Sequence, residues 1–155
     1  MTRIFGILIA VLFLSVGHTA SGQDSELLKK AQDGDAEAQN KLGFTFASNL
    51  QDYVEAVKWW RLAAEQGDAK SQFNLGVAYR NGNGVDQDYA EAVRWYRLAA
   101  EQEYASAQNN VGYAFYNGEG VEQDYAEAFK WYRLAAEQGY ATAQRHLGFA
   151  YYNGK

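Results

Sequence analysis

The sequence predicts an all-α fold in which pairs of helices are repeated along the chain. A stretch that begins at Asp88 starts again at Asp124, and from Tyr89 and Tyr125 onward the two copies agree at 21 of 31 positions. A shortened third copy precedes them. Because self-similarity at a regular spacing is typical of stacked repeats, the fold reduces to one unit packed on copies of itself.

The second helix of each unit is marked by its first residues. The three segments read DYVEAVKWWRLAAEQ, DYAEAVRWYRLAAEQ and DYAEAFKWYRLAAEQ. Aspartate at the start and glutamate three residues later form a capping box, in which both side chains are expected to bind backbone N–H groups of the first turn. The pairs are Asp52 with Glu55, Asp88 with Glu91, and Asp124 with Glu127.

The first helix of each unit carries a glycine in its middle. These glycines are Gly43, Gly76, Gly112 and Gly148. A glycine inside a helix costs about 1 kcal/mol relative to alanine, so its repeated presence indicates a gain elsewhere. We expect that gain to be the close approach of a partner helix, at a point where a side chain would not fit.

Glycine also ends helices in this chain. Gly34, Gly67 and Gly139 each follow one helical pattern and precede the next. A glycine past the end of a helix supplies the left-handed residue that lets the chain reverse. Glu103 occupies the same place in the middle unit, where we expect a cost of about 1 kcal/mol if the turn is kept.

The N-terminus has the pattern of a secretory signal peptide. Arg3 precedes an apolar run of about 13 residues, over positions 4–16, and small residues follow around Ala20. A helix needs roughly 20 apolar residues to cross a bilayer, so we expect no stable membrane anchor after cleavage. Cleavage after Gly22 is preferred to cleavage after Ala20, which would place His18 in a restricted position. The sequence therefore predicts a periplasmic or secreted protein.

The predicted domain organisation has three parts. They are a signal peptide over residues 1–22, an N-terminal capping helix over residues 23–34, and a solenoid over residues 35–155. The solenoid divides into repeats at 35–67, 68–103 and 104–139, with a half-repeat at 140–155.

Composition argues against several function classes. The net charge is −5, and the 14 basic residues are interspersed among 19 acidic ones, whereas nucleic-acid binding needs clustered cations. The absence of cysteine excludes disulfides and thiol chemistry. Once the signal peptide is removed, His146 is the one histidine, which argues against a multi-histidine metal site and a catalytic base. We therefore expect no enzyme, no cofactor and no catalytic or metal-binding residue.

The spaced residues of one unit resemble a known repeat. They are Leu75-Gly76, Tyr79, Asn81-Gly82, Gly84-Val85, Asp88-Tyr89, Ala92, Trp95 and Ala99-Ala100. The pattern is similar to that of the Sel-one-like repeat family. The resemblance implies a right-handed α/α solenoid of antiparallel helix pairs, related to tetratricopeptide repeats, which serves as an interaction scaffold and in bacteria is often exported. The shortened first loop and Glu103 depart from the pattern.

Positions that vary between units indicate where a partner could bind. In the first helices they recur at spacings of three and four, which places them on one face, here called the first-helix face. In tetratricopeptide-like stacks the corresponding face lines the concave groove, and the resemblance implies the same here. Aromatic rings, amides and arginine are typical of a groove for a protein or peptide. The candidate residues on or beside this face are Asn40, Phe44, Phe73, Asn74, Val77, Arg80, Asn109, Asn110, Tyr113, Tyr116, Arg145, His146, Phe149 and Tyr152.

Alternatives remain open for this face. Phe44, Tyr113 and Phe149 would also be explained by packing against a neighbouring helix. The same aromatics and amides would suit a cell-wall glycan such as peptidoglycan. Self-assembly through the C-terminal helix is a third hypothesis, because Leu147 and Tyr151 would lie on an uncovered flank. Among the tryptophans, we expect Trp59, Trp95 and Trp131 in the seams between units. Trp60 is replaced by Tyr96 and Tyr132 in the later units, and because this position varies we expect Trp60 to be partly exposed.

Overall fold

A computed structural model describes residues 22–152, which form eight α-helices and no β-strand. The helices are α1 (Gly22–Gln32), α2 (Ala36–Asn49), α3 (Tyr53–Glu65), α4 (Ala69–Asn81), α5 (Tyr89–Glu101), α6 (Ala105–Asn117), α7 (Tyr125–Glu137) and α8 (Ala141–Tyr152). Each helix packs mainly against the helices before and after it in the chain. The predicted all-α solenoid of helix pairs is confirmed.

The predicted signal peptide lies outside the described residues, apart from Gly22 at the start of α1. Within residues 22–152, every helix is too short or too polar to cross a bilayer.

Aspartates start five of the helices. The carboxylates of Asp35, Asp52, Asp68, Asp88 and Asp124 each accept a hydrogen bond from the backbone N–H three residues later, at 2.7–3.0 Å. Each cap stabilises its helix by about 1 kcal/mol. Helix α6 is preceded by Tyr104, which forms no such side-chain bond.

The expectation that the glutamates of the capping boxes bind the backbone N–H of the capping aspartates is wrong. The backbone N–H of Asp88 donates to the carbonyl of Tyr79, at the end of the preceding helix, at 2.9 Å, and that of Asp124 donates likewise to Phe115 at 3.0 Å. The glutamates instead pair with cations three residues later: Glu91 Oε1 lies 2.6 Å from Arg94 Nη2. The preceding helix thus satisfies the N–H that the box would have bound.

The turns that end the second helices share one left-handed residue. Gly34, Gly67 and Gly139 have φ angles of 99°, 94° and 82°. Glu103 adopts the same conformation with φ 62°, so the turn is kept although the residue is not glycine. This region favours glycine, because a side chain crowds the following carbonyl.

Aromatic rings cover three of the four mid-helix glycines. A Cβ atom built on Gly43 would lie 2.6 Å from the ring of Trp60, and one on Gly112 would lie 2.7 Å from the ring of Tyr132. Gly76 meets Tyr96 in the same way. The expected close approach is confirmed for these three glycines. A Cβ on Gly148 would meet no atom of the described residues within 4 Å.

The tryptophans were predicted with mixed success. Trp60 is buried, with 6% of its surface exposed, so the expectation of partial exposure is wrong. Its ring lies over Gly43, as the rings of Tyr96 and Tyr132 lie over their glycines. Trp59 and Trp95 are buried in one apolar cluster that joins the first two units, whereas Trp131 is half-buried.

A ladder of glutamine side chains links successive units. In the central pair, the buried Gln72 donates from Nε2 to the carbonyl of Ala64 at 3.2 Å and accepts at Oε1 from Nε2 of the exposed Gln102 at 2.8 Å. The pairs Gln39 with Gln66 and Gln108 with Gln138 repeat the arrangement. We call each such pair a glutamine clasp, and it fixes the first helix of one unit against the second helices on both sides.

Candidate binding face of the first helices

The first-helix face is built from α2, α4, α6 and α8, the first helices of successive units. Its best-formed part lies between α4, α6 and α8, where side chains from different units come into contact. It includes the candidates Arg80, Asn109, Tyr113, Tyr116, His146 and Phe149.

Arg80 joins the second unit to the third. Its guanidinium carbon lies 4.7 Å from the centre of the Tyr113 ring, within range of a cation–π interaction. Its Nε lies 3.3 Å from Glu119 Oε2, 39 residues away in sequence. Burial alone would lower the pKa of Arg80, but the Glu119 carboxylate together with Tyr96 and Tyr113 raises the pKa overall. Arg80 therefore stays charged on this face.

His146 lies against the third unit. Its Nδ1 is 3.0 Å from Asn109 Oδ1, so a ring protonated on Nδ1 donates to the amide oxygen. The centre of its ring lies 4.9 Å from that of Tyr132 and 6.3 Å from that of Tyr113. Burial, followed by the charge of Arg145, lowers the pKa of His146. A neutral imidazole at neutral pH follows from both effects.

An open cleft of about 200 Å³ lies beside His146. Tyr132 of α7 is buried, whereas Tyr113, Tyr116 and His146 are half-buried and Phe149 is exposed. Burial raises the pKa of Tyr132, so its hydroxyl stays protonated. An aromatic cleft with hydroxyl and amide groups can hold an apolar side chain and bind the neighbouring backbone. The lining residues are Tyr113, Tyr116, Asn117, Tyr132, His146 and Phe149.

Other candidates are engaged in packing. Asn109 has 5% of its surface exposed, so it positions His146 rather than facing a partner. The half-buried ring of Phe73 packs against Tyr96 and Tyr104, with ring centres 5.8 and 5.2 Å apart. Val77 is half-buried against the same apolar cluster.

The remaining candidates differ in their exposure. Asn40 is half-buried and donates to Ser71 Oγ at 2.7 Å, which links α2 to α4. Asn74 and Asn110 are half-buried. The exposed candidates are Phe44 at 62%, Phe149 at 59%, Tyr152 at 88%, and Arg145.

Sequence reasoning missed Tyr132, Asn117 and Glu119. Tyr132 was grouped with Trp60 as a residue that differs between units, although the shared feature is a large ring over a glycine. Glu119 lies in a loop that was not considered as part of the face. Within residues 22–152, no three acidic or histidine side chains are grouped so as to hold a metal ion.

Known proteins resemble this chain over most of its length. The family model described as Sel1 repeat matches residues 36–68, 69–104, 105–140 and 141–155. A protective antigen of uropathogenic Escherichia coli strains, with an SLR fold, is 43% identical, has a TM-score of 0.81, and aligns over 83% of this chain and 28% of its own. A Sel1 repeat protein from Oxalobacter formigenes is 36% identical with a TM-score of 0.80, over 95% of this chain and 61% of its own.

A more distant similarity supports the fold alone. Cysteine-rich protein B of Helicobacter pylori has a TM-score of 0.64 at 24% identity, over 81% of this chain and 97% of its own. Among curated proteins, the rat DAP3-binding cell death enhancer 1 is 46% identical over 63 residues, which are 39% of this chain and 12% of that protein. This chain thus spans a small part of the curated relatives that it matches.

Sel1 repeat proteins are helical scaffolds that typically mediate protein–protein interaction, and they are generally non-catalytic. The four matched segments cover α2 to α8 with their connecting turns. The resemblance inferred from the spaced residues is therefore confirmed, and the chain belongs to the Sel1 repeat family.

Proposed function

We propose that this chain is an exported, non-catalytic scaffold that binds a protein or peptide partner along its first-helix face, the concave face in related stacks. The observation that carries the proposal is the aromatic cleft between α6 and α8. Tyr113, Tyr116 and Phe149 contribute its walls, and the buried ring of Tyr132 lies among its lining residues. Aromatic residues at the centre of interfaces commonly supply most of the binding energy.

Exposed rings extend this surface. Phe44, Phe149 and Tyr152 are each more than half exposed. Phe44 and Phe149 occupy equivalent positions in the first and last units, and Tyr152 lies one turn beyond Phe149 on α8. A contiguous patch of exposed apolar side chains commonly marks an interaction site, and Phe149 and Tyr152 lie one turn apart on α8.

The names of two relatives support the two parts of the proposal, protein binding and export. The curated rat relative is named for binding DAP3, so a protein that shares part of this sequence carries the name of a binding partner. A protective antigen must be reached by the immune system, which supports export of the similar repeats found here. The signal-peptide pattern at residues 1–22 supports the same location.

Site-specific photocrosslinking in an exporting bacterial host tests the proposal. A photoreactive amino acid at Phe149 or Tyr152 is expected to capture the same protein. The same probe at Leu134, an exposed residue of α7, serves as the control. Loss of the crosslink in Tyr113→Ala and Tyr116→Ala variants would tie it to the cleft. Sedimentation with purified peptidoglycan that depends on these tyrosines, without a protein crosslink, would contradict the proposal and identify a glycan ligand.

Self-association through α8 is a second candidate function, favoured by Gly148. In α2, α4 and α6 the equivalent glycine receives an aromatic ring of the next helix, whereas Gly148 is open among the described residues. The matching ring would come from an exposed aromatic residue of another copy, because Trp60, Tyr96 and Tyr132 already cover glycines of their own chain. Gly148→Leu should leave the monomer folded but prevent such docking, because the side chain would fill the space. A monomeric mass at high micromolar concentration for the unaltered protein would exclude this candidate.

A further inference from the structure

We infer that the segment bound by the first-helix face is acidic, with carboxylates flanking an apolar side chain that enters the aromatic cleft. This inference rests on the proposed function and adds the chemistry of the partner. Its basis is a separation of charge between the two kinds of helix.

The three first helices around the cleft contain no aspartate or glutamate. Helix α4 carries Lys70 and Arg80, α6 carries no charged residue, and α8 carries Arg145 with His146 beside it. The second helices α3, α5 and α7 each contain two glutamates and two basic residues. A chain with a net charge of −5 therefore has a face on which positive charge prevails.

The acidic residues that make the chain negative lie at helix starts and in loops. Asp35, Asp68 and Asp124 each bind a backbone N–H at the start of a helix. A carboxylate in this position is directed at the N–H groups of its own helix and interacts favourably with the helix dipole. Among the described residues near the cleft, Glu119 is the carboxylate that contacts a first helix, through Arg80.

Two arginines are placed to meet a carboxylate of the partner. Arg145 is exposed and forms no ion pair among residues 22–152. Arg80 uses Nε for Glu119, at 3.3 Å, whereas the other ion pairs are 2.6–2.9 Å long. Its two terminal nitrogens retain donors in the planar arrangement that suits a carboxylate.

Both cations lie next to residues that line the cleft. Arg80 contacts the ring of Tyr113, and Arg145 precedes His146, whose ring lies near the same tyrosine. An arginine or lysine of a partner would be repelled here, because Arg80 already lies on one of the aromatic faces. An apolar side chain with acidic neighbours fits both the cleft and the two arginines, and Asn117 can bind the peptide backbone.

Selection from a phage-displayed library of random decapeptides, on the immobilised chain without residues 1–22, tests the inference. The selected peptides are expected to have a net negative charge and at least one aromatic or aliphatic residue. The dissociation constant of the best peptide, measured by fluorescence anisotropy, should rise about tenfold with Arg145→Glu. Raising the salt from low to physiological concentration should also weaken binding.

Arg133→Glu is the matched control. Arg133 is an exposed arginine of α7, so the substitution changes the net charge equally on another face, and we expect a change of less than about twofold. Neutral or basic selected peptides that require Tyr113 and Phe149 would overturn the inference but leave the proposed function intact. Failure to select any peptide that depends on Tyr113 or Phe149 would overturn both.

Discussion

Gln102 donates a hydrogen bond of 2.8 Å from its side-chain amide to the side-chain oxygen of Gln72, 30 residues earlier. Gln72 in turn donates to the carbonyl of Ala64 at 3.2 Å. The two residues belong to the central glutamine clasp. A buried polar side chain is tolerated in an apolar seam when its hydrogen bonds are satisfied, and here both ends of the amide are bonded.

The clasp predicts a large effect of Gln108→Leu. Leucine has a similar size but leaves the buried carbonyl of Ala100 without its partner, whereas the exposed amide of Gln138 can bind water instead. We expect the free energy of unfolding to fall by about 1–3 kcal/mol, measured by urea denaturation followed by circular dichroism.

Gln144→Leu is the internal control for the clasp. Gln144 occupies the same position in the last unit, but it is exposed, so water can replace its bond to Ala136. We expect a loss below about 1 kcal/mol. Equal losses for the two variants would show that burial of the clasp contributes nothing.

The glycine under Tyr96 predicts that Gly76→Ala is destabilising. The methyl group would overlap the tyrosine ring, and the two helices would have to separate. Overpacking of this kind costs about 1–3 kcal/mol, which exceeds the gain of about 1 kcal/mol in helix propensity. Thermal unfolding should show a lower midpoint for this variant.

Gly148→Ala should have the opposite effect and raise the free energy of unfolding. The added methyl group meets no described atom within 4 Å, so the gain in helix propensity remains, about 1 kcal/mol or less. A lower stability for Gly148→Ala would contradict the open position assigned to this glycine.

The left-handed turn at Glu103 predicts that Glu103→Gly is stabilising. With φ at 62°, a side chain costs about 1 kcal/mol, although the greater freedom of glycine in the unfolded chain offsets part of the gain. We expect a net increase of about 0.5 kcal/mol in the free energy of unfolding. Gly139→Glu makes the reverse change in the next unit and should destabilise, and an increase in stability there would disprove the account.

The pKa of His146 predicts a dependence of stability on pH. Burial and Arg145 lower this pKa below its ordinary value of 6.5, so the folded state resists protonation more than the unfolded state. The contribution of neutral His146 is complete above pH 6.5 and is lost as the pH falls through the lower folded pKa. We expect the free energy of unfolding to decrease between pH 7.5 and pH 5.

His146→Asn tests this assignment, because asparagine occupies the equivalent positions Asn74 and Asn110. The variant should keep the fold and lose part of the decrease between pH 7.5 and pH 5. An unchanged pH profile would mean that other groups are responsible.

The helices and turns that recur in every unit were predicted well from the sequence, because the same residues recur at the same positions. The covered glycines and the left-handed turns follow from the cost of glycine in helices and its ease in turns. Trp60 was misjudged because identity was compared between units rather than size: Trp60, Tyr96 and Tyr132 all place a ring over a glycine.

Contacts between units were harder to predict. Arg80 and Glu119 are 39 residues apart, and their pairing depends on how far one unit is displaced from the next. The position of Asn109 beside His146 depends on the same displacement. Comparison of repeats shows which positions vary, but it does not show which varied side chains face each other.

The glutamine clasp has a consequence for recognition. Gln72 bonds to the carbonyl of Ala64 and Gln108 to that of Ala100, so the same contact joins a first helix to the preceding unit at two successive junctions and holds the first helices at a constant interval. A chain lying along the first-helix face would meet a new set of side chains at each interval. A substitution on this face therefore changes the side chain that a partner meets in one unit without changing the spacing between the units.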